Sequence, residues 1–254
     1  MLRKAQHVFE NWIVFPLSYY NFIQSRFIVF KTRTKRIIKI RKKSTDLMAL
    51  THVWLIEEYK KQGFEINSND TVVDVGAHIG LFTLYASQFC TNGKIFSFEP
   101  VKENYELLLE NIKLNDLQQV KTFNKAVSDS NIPIKLFIND DESGHSMFSQ
   151  SSHSMMIDSI SLQKVFDENQ IKYCNFLKLD CEGAEYEIIK NLPLEYLKKI
   201  DKIIIEYHMA DSHPELLSEL KEILVNHNFN IEIKTLFPDI GFLYAKKLDF
   251  SNNS

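Results

Sequence analysis

The sequence contains little cysteine, glycine or proline. Of its 254 residues, 3 are cysteine, 7 are glycine and 6 are proline, whereas 44% are hydrophobic and 25% are charged. The cysteine count is odd, and no pair has metal-finger or redox spacing, so we expect no disulfide framework. Reduced thiols indicate a cytoplasmic protein. The composition also excludes collagen-like, disordered and repeat proteins and is typical of a globular chain.

Long apolar runs are also absent. The stretch at residues 11–23 is apolar but is interrupted by Pro16 and Asn21. It is too short to span a bilayer, which takes about 20 apolar residues. No small-residue cleavage site follows it, so we do not predict a signal peptide. We expect a helix that docks on the core, with a membrane-surface anchor as the alternative.

The chain has a net charge of -3, but its charged residues are distributed unevenly along the sequence. Residues 1–43 hold 11 Lys and Arg and one acid, Glu10, a balance of +10 that leaves -13 for the rest. We therefore divide the chain into a basic extension, a helix plus a β-hairpin at residues 1–43, and an acidic body at residues 44–254. Since no nucleic-acid motif accompanies the charge, we expect no nucleic-acid partner and at most weak membrane contact.

Strand and helix patterns alternate from residue 70 onwards. Five apolar strand patterns are each followed by a helical or irregular segment, and two closing strands at residues 229–248 are close enough to pair antiparallel. This alternation predicts an α/β fold with a mostly parallel sheet and helices on both faces. Before it, residues 44–61 predict one helix capped by Ser44 or Thr45. Ligands of such sheets bind beyond the carboxyl ends of the strands, where the informative residues should lie.

The first of these strands ends in the bend DVGAHIG, residues 74–80. Gly76, Ala77 and Gly80 let the backbone approach a ligand closely, and the next helix offers free N–H groups. The spacing G-x-x-x-G matches neither the dinucleotide fingerprint G-x-G-x-x-G nor a P-loop. Asp74, before the first glycine, favours S-adenosylmethionine, whose amino group it can approach.

The next two strand ends indicate an adenosine. Glu99 lies 19 residues after Gly80, where a carboxylate can accept hydrogen bonds from both ribose hydroxyls. At the end of the third strand, Asn124, Ser128 or Asp129 could reach the adenine edge. The bend and these polar groups together predict an adenosine-containing cofactor.

Acids and a histidine follow the fourth and fifth strands. Asp180 closes the fourth strand and Glu182 follows it, whereas Glu206 and His208 point to one side of the fifth strand. Asp180 is our candidate general base for a substrate hydroxyl, with Glu182 and His208 as further catalytic candidates. The same atoms could hold a divalent ion, but we do not predict a metal.

Several segments together resemble the FkbM family of S-adenosylmethionine-dependent methyltransferases: DTVVDVGAHIGLFTLYAS, FSFEP, NKAVSD, FLKLDCEGAEYEIIKNL and IIIEYH. The similarity covers roughly residues 44 to 245, and D-x-E-G-x-E is its most specific block. It implies a class I methyltransferase (Rossmann-like) fold with seven strands, the last pair antiparallel. It also implies O-methylation of a hydroxyl on a sugar, glycan, polyketide or related natural product.

The resemblance also implies roles for particular residues. Asp74, Gly76 and Gly80 would line the cofactor, Glu99 would hold its ribose, and Asp180 and Glu182 would lie at the reaction mouth. His78 stands where the family often has Asn, but it is polar and within reach of the cofactor.

Two other functions stay open at this point. One is a nicotinamide-dependent oxidoreductase on a similar sheet, against which the missing G-x-G-x-x-G argues. The other is a non-catalytic adaptor at a membrane surface. We expect the acceptor pocket to be shaped by the N-terminal region and by a Ser/His/Met-rich loop at residues 139–156, but neither segment identifies the acceptor.

Overall fold

A computed structural model of the chain describes residues 1–138 and 153–248. The strands in this part of the chain are β1 (Phe27–Lys31), β2 (Ile37–Arg41), β3 (Thr71–Val75), β4 (Lys94–Phe98), β5 (Val120–Phe123), β6 (Ala126–Ser128), β7 (Ile134–Ile138), β8 (His153–Ile157), β9 (Ser159–Ser161), β10 (Cys174–Leu179), β11 (Ile200–Tyr207), β12 (Phe229–Phe237) and β13 (Ile240–Lys247). The helices are α1 (Leu2–Val8), α2 (Val14–Tyr19), α3 (Asp46–Leu50), a π-helix (Thr51–Ile56), α4 (Leu81–Ala86), α5 (Lys102–Leu114), α6 (Leu162–Glu168), α7 (Glu185–Lys190), α8 (Leu194–Leu197) and α9 (Pro214–Asn226).

A seven-stranded sheet forms the centre of the molecule, in the spatial order β12-β13-β11-β10-β3-β4-β5. The five strands from β5 to β11 run parallel, and β13 pairs antiparallel with both β11 and β12. This arrangement confirms the predicted class I methyltransferase fold, including its antiparallel last pair. The carboxyl ends of the parallel strands meet along one edge, where ligands bind in such sheets.

Each face of the sheet is covered by its own apolar cluster. Along β3, Val72 joins the cluster beneath α4, whereas Val73 and Val75 join the cluster beneath α6, α7 and α9. The alternation follows from the two-residue period of a strand, and strands buried on both faces are apolar throughout. Polar side chains inside these strands therefore need buried partners.

The N-terminal elements pack on the α4 side of the sheet. β1 and β2 form the predicted antiparallel hairpin, and Phe9, Phe15 and Phe30 lie in the same apolar cluster as α4. The predicted helix at residues 11–23 is shorter, Val14–Tyr19, and an additional helix precedes it. Because one cluster spans both sides of residue 43, the division at that point stays a prediction. In the described part of the chain, no helix has both the length and the apolarity to cross a membrane.

Three local predictions need correction. The helix expected over residues 44–61 is α-helical only at Asp46–Leu50 and then widens into the π-helix, which Glu57 ends in the left-handed region with φ 57°. The expected third strand divides, since the Asn124 amide donates to the carbonyls of Glu99 and Pro100 and turns the chain before β6. Of the expected loop at residues 139–156, the last four residues lie in β8, paired with β7, and residues 139–152 lie outside the described residues.

Gly76 allows two loops to meet at the carboxyl edge. Its φ is +74°, and a Cβ there would overlap the backbone oxygen of Asp180. Gly63 has a similar φ of +86°, but the nearest atom to a Cβ would be the Lys246 Nζ at 3.8 Å. Gly76 is thus required by packing as well as by conformation.

We predict unequal costs for the same substitution at these two glycines. Gly63→Ala should lower the free energy of unfolding by about 1–2 kcal/mol, the cost of a left-handed alanine. Gly76→Ala should lower it by about 2–5 kcal/mol, since overpacking against a fixed backbone adds to that cost. Urea denaturation measures both values, and equal costs would contradict the packing role of Gly76.

Candidate functional site

A cavity of about 430 Å³ opens along the carboxyl edge of the sheet. It extends from Glu99 after β4, across the bend after β3, to Asp180 after β10 and His208 after β11. The π-helix segment and the turn between β12 and β13 close its far side. Seven of the predicted site residues line the cavity. They are Gly76, Ala77, His78 and Glu99 toward the β4 end, Asp180 and Glu182 after β10, and His208 after β11.

A buried ion pair lies in the sheet beneath this cavity. Asp74 and Lys178 are register partners on neighbouring strands, and the Lys178 Nζ lies 3.2 Å from the Asp74 carboxylate. Lys178 also lies 3.4 Å from the Asp180 carboxylate and donates to the Gly76 carbonyl at 2.7 Å. Burial lowers the pKa of Lys178, but the charges of Asp74 and Asp180 outweigh it and raise the pKa above its usual value. The lysine is therefore charged.

Lys178 was missed in the sequence, although a signal was present. It is the one charged residue in the otherwise apolar or uncharged strand Cys174–Leu179. A lysine in a fully buried strand requires a carboxylate partner, and the parallel pairing of β10 with β3 supplies Asp74.

Glu99 is fixed by the backbone at the β4 end of the cavity. Its two carboxylate oxygens accept from the His78 N–H at 2.8 Å and the Val101 N–H at 2.9 Å. Burial raises the pKa of Glu99 to about 7, although both N–H groups lower it. Because the carboxylate lines the cavity and cannot rotate freely, it presents its remaining acceptor positions in one direction.

His78 links the bend to the N-terminal hairpin. Its φ is 52°, and its Nε2 lies 3.3 Å from the Arg41 Nη2 and 3.5 Å from the Asp46 carboxylate. Arg41 also donates to the Asn104 side chain at 2.8 Å. Burial lowers the pKa of His78 to about 4, so its ring is neutral. The sequence did not indicate Arg41, Asp46 or Asn104, because they come from three separate segments.

An apolar wall adjoins Glu99 and suits a flat aromatic ring. It is formed by the start of α5, by β6 and by the β7–β8 hairpin, through Val101, Ala126, Val127, Ile134 and Ile157. Neither Ser128 nor Asp129 is one of the described residues that line the cavity. The Ser128 hydroxyl instead donates to the Ser130 carbonyl at 2.9 Å. A contact from these two residues to adenine stays a prediction.

Two further residues of the bend lie behind the cavity rather than in its described lining. Asp74 is fully buried and accepts a hydrogen bond from the Thr83 hydroxyl at 2.6 Å. Gly80 begins α4 with φ 88°, and a Cβ there would overlap the side chain of Leu108 on α5. Their predicted contacts with a cofactor stay predictions, and their structural contacts are with the sheet and α5.

The opposite end of the cavity is acidic. Asp180, Glu182, Glu206 and His208 line it together. Burial is the main reason that the pKa of Glu182 rises to about 7 and that of Glu206 to about 8, with the Asp180 charge adding to both. Since general bases work best with a pKa near the operating pH, these groups are suited to proton transfer.

His208 is held as a cation by Glu185. Its Nδ1 lies 3.2 Å from the Glu185 Oε1, which also accepts the His208 backbone N–H at 3.0 Å. Burial lowers the pKa of His208, but Glu185, Glu182 and Asp180 outweigh it and raise the pKa to about 10. At neutral pH the imidazolium is therefore a donor and not a base.

Three of these groups fit a divalent ion. Asp180, Glu182 and His208 each offer one ligand atom, and these atoms lie within 4.8 Å of one another. Carboxylate and imidazole donors suit several divalent metals, but an ion would first have to displace the proton that makes His208 a cation, while Glu185 would orient the imidazole from its other nitrogen. Glu206, which the sequence grouped with Asp180 and His208, is not a member of this set.

Comparison with known proteins assigns a family. A model described as the methyltransferase FkbM domain matches residues 74–231, which is more than half of the chain. The chain belongs to the FkbM methyltransferase family. It is accordingly an S-adenosylmethionine-dependent methyltransferase. The oxidoreductase and the non-catalytic adaptor considered as alternatives are thereby set aside as its main function.

Named relatives of this FkbM protein are distant. Methyltransferase 1 of Beauveria bassiana is 23% identical over 64% of this chain and 73% of its own length. Methyltransferase sdnD of Sordaria araneosa is 27% identical over 55% of this chain and 66% of its own length. The hexuronic acid methyltransferase AglP of Haloferax volcanii is 25% identical over 72% of this chain and 73% of its own length.

The cavity of this methyltransferase fits its cofactor. Glu99 can accept from a ribose diol, the apolar wall accommodates adenine, and the small residues Gly76 and Ala77 leave room beside the bend. The acidic end suits a sulfonium, because a fixed positive charge is stabilised by nearby carboxylates. The family thus confirms the prediction that the cofactor is S-adenosylmethionine, and the residues that line the cavity are compatible with this cofactor.

We predict that Lys178→Met strongly destabilises the protein. Removing one partner leaves Asp74 buried and uncompensated, which should lower the free energy of unfolding by about 3–5 kcal/mol. Adding Asp74→Asn to this variant should restore part of the loss. Chemical denaturation of the single and double variants measures the coupling.

A second buried lysine provides the control. Lys202 is 6% exposed, but its Nζ donates to the Glu65 carbonyl at 2.7 Å and its nearest carboxylate, that of Asp201, is 3.9 Å away. Lys202→Met should therefore cost about 1.5–3 kcal/mol, the value of one hydrogen bond from a charged group. A Lys178→Met cost no larger than that of Lys202→Met would contradict the role of the ion pair.

Proposed function

We propose that the protein transfers the methyl group to a hydroxyl oxygen of a sugar, glycan or related natural product. The observation that carries the proposal is the Asp180 carboxylate, which lies at the cavity wall between the cofactor bend and the acidic end and is 27% exposed. Lys178 holds it from below. The name of the relative AglP includes a hexuronic acid, which supports a sugar ring in the acceptor, whereas the carboxylate in that name belongs to that relative's acceptor.

When bound, S-adenosylmethionine supplies an electrophilic methyl group on a good leaving group. The residues of the chain then have two tasks, alignment of the acceptor oxygen and removal of its proton. Alignment can contribute about 7–11 kcal/mol. A general base contributes roughly 10²–10⁴-fold. Positioning by the cavity walls should therefore dominate the rate.

Each catalytic candidate has a distinct part in this mechanism. Asp180 accepts the hydroxyl proton while Lys178 fixes the orientation of its carboxylate. Glu182 lies 3.7 Å from the His208 imidazole, so this pair forms the acidic wall beside the acceptor and can receive the proton afterwards. His208, as a cation, donates hydrogen bonds and lowers the cost of gathering several carboxylates at one cavity.

Methyl-labelled cofactor tests the reaction class. Incubation with a panel of neutral sugars, sugar acids and natural-product alcohols should place the label on an oxygen as an ether that survives mild alkali. Label released by mild alkali would indicate a carboxyl ester and contradict a hydroxyl acceptor. With the acceptor so found, Asp180→Asn should lower turnover by about 10²–10⁴-fold, and Glu99→Ala should weaken cofactor binding by about 10–100-fold.

The control for Glu99→Ala lies outside the cavity. Glu103→Ala removes an exposed carboxylate from the first turn of α5 and should leave cofactor affinity unchanged in calorimetry. Full turnover in Asp180→Asn would refute its assignment as the base, and unchanged affinity in Glu99→Ala would refute the ribose contact.

We also propose weak contact between the N-terminal extension and an anionic membrane surface. The end of α2 exposes a contiguous aromatic group, Tyr19 at 70%, Tyr20 at 67% and Phe22 at 69%, whose rings lie 5.3 and 6.4 Å apart. Ile13 and Leu17 on the same helical segment are also exposed. Aromatic side chains beside a charge balance of +10 suit the interface of anionic lipids.

Vesicle sedimentation tests this contact. Binding should require phosphatidylglycerol in a phosphatidylcholine vesicle, fall with salt, and fall further when Tyr19, Tyr20 and Phe22 are all changed to Ser. The control is Tyr173→Ser, which changes a 48% exposed tyrosine elsewhere on the surface. Equal binding to pure phosphatidylcholine, or no binding at all, would contradict the proposal and direct attention to a protein partner.

A further inference from the structure

The half of the cavity beyond Asp180 has walls that, apart from Glu206, no motif identified. Its residues come from α3, from the π-helix and the segment that follows it, from β11 and from the turn between β12 and β13, and they include Met48, His52, Glu58, Tyr59, Glu206 and Phe237. This half lies on the opposite side of the bend from Glu99 and the apolar wall, because β10 and β11 lie on the other side of β3 from β4. The acceptor therefore has this half available to it.

The π-helix places His52 and Glu58 side by side on this wall. The helix widens over Thr51–Ile56 and ends at Glu57 in the left-handed region, so that the Glu58 N–H donates to the His52 carbonyl at 3.3 Å. The His52 Nδ1 then lies 3.1 Å from the Glu58 carboxylate, which is almost fully buried. The Tyr244 hydroxyl fixes the segment by donating to the Glu58 carbonyl at 3.1 Å. Single-turn π-helices of this kind often occur at functional sites.

Tyr59 is a buried side chain whose hydroxyl makes no hydrogen bond to another described residue and faces the cavity. The side chain is 5% exposed, and its ring is held between Phe82 at 4.8 Å and Phe242 at 5.7 Å. The hydroxyl oxygen is not sealed from solvent, so water can serve as its hydrogen-bond partner in the free protein. Since Tyr59 lines the cavity, a bound molecule can supply that partner instead.

The charges of this half disfavour an anionic molecule. Glu58 and Asp180 line it, and so do Glu182 and Glu206, whose raised pKa values leave them only partly charged at neutral pH. Lys178 and His208 are each paired with a buried carboxylate behind the wall, Asp74 and Glu185 respectively, and His52 is paired with Glu58. In the part of the chain that the structure describes, every cation lining this half is thus already neutralised, and an acceptor carboxylate would face repulsion.

We propose that His52, Glu58 and Tyr59 form the acceptor subsite, and that this subsite takes an uncharged polyhydroxy molecule and rejects one that carries a carboxylate. The Glu58 carboxylate accepts hydrogen bonds from acceptor hydroxyls, Tyr59 donates or accepts one more, and His52 keeps the carboxylate in place. Met48 and Phe237 provide apolar surface for the C–H face of a sugar-like ring. This proposal rests on the hydroxyl methyltransferase function proposed above.

Two glycosides that differ only at one carbon test the charge selectivity. Methyl β-D-glucopyranoside carries a hydroxymethyl group where methyl β-D-glucuronide carries a carboxylate. With the full chain saturated by S-adenosylhomocysteine, saturation-transfer NMR should show binding of the glucopyranoside and at least about tenfold weaker binding of the glucuronide. Equal or tighter binding of the glucuronide, or binding of neither probe, would overturn the proposal.

Substitutions in the subsite locate the binding. Tyr59→Phe and Glu58→Gln should each weaken glucopyranoside binding by about tenfold, the loss expected for one or two hydrogen bonds, and Glu58→Gln should narrow the difference between the two probes. Tyr105→Phe is the matched control, because its hydroxyl bonds to Thr122 outside the cavity. Unchanged glucopyranoside binding in both subsite variants would overturn the proposal.

Cofactor affinity and the position of the methyl label together distinguish failure of the hydroxyl function from failure of the subsite assignment. Calorimetry with S-adenosylmethionine should give the same affinity for the native chain, Tyr59→Phe and Glu58→Gln, which also shows that the variants fold. If the label experiment finds a methyl ester, the proposed methylation of a hydroxyl is wrong, whatever binding the two glycosides show. If the label is on a hydroxyl and the subsite variants bind as the native chain does, the subsite assignment alone fails.

Discussion

The buried pair of Asp74 and Lys178 is the interaction on which the cavity depends. Burying either charge alone would be prohibitive, whereas two register partners on one face of adjacent strands neutralise each other at 3.2 Å. The lysine then reaches upward to the Gly76 carbonyl and to Asp180. One side chain therefore ties the interior of the sheet to both loops that border the reacting groups.

The two ends of the cavity differ in electrostatic character because of how their charges are compensated. At the β4 end His78 is neutral, Glu99 is bound by backbone N–H groups, and the wall is apolar. At the β11 end several carboxylates share two cations. A cofactor that is flat and uncharged at one end and cationic near its reactive centre matches this gradient.

The sequence sufficed for the fold and for part of the site, because both follow from local patterns. Strand and helix periods predicted the sheet, and the position of a residue after its strand predicted that Glu99, Asp180 and His208 would share one edge. Among the residues that were missed, Lys178 and Arg41 acquire their roles through partners distant in the chain, whereas His52 meets the nearby Glu58 only because of the π-helix between them. The π-helix likewise depends on tertiary contacts rather than on propensity. Gly76 was predicted for a ligand's approach, yet the contact that the fold demands there is with Asp180.

The contact of Arg41 with His78 joins the N-terminal hairpin to the bend after β3. Arg41 ends β2, and the same guanidinium reaches both His78 on the bend and Asn104, which in turn contacts Glu99. A ligand that orders the bend would therefore also tighten the attachment of the hairpin, and by thermodynamic reciprocity a firmly attached hairpin would strengthen the affinity for that ligand by the same factor. A chain shortened to the acidic body would lose this coupling even with every residue of the recognised motifs intact.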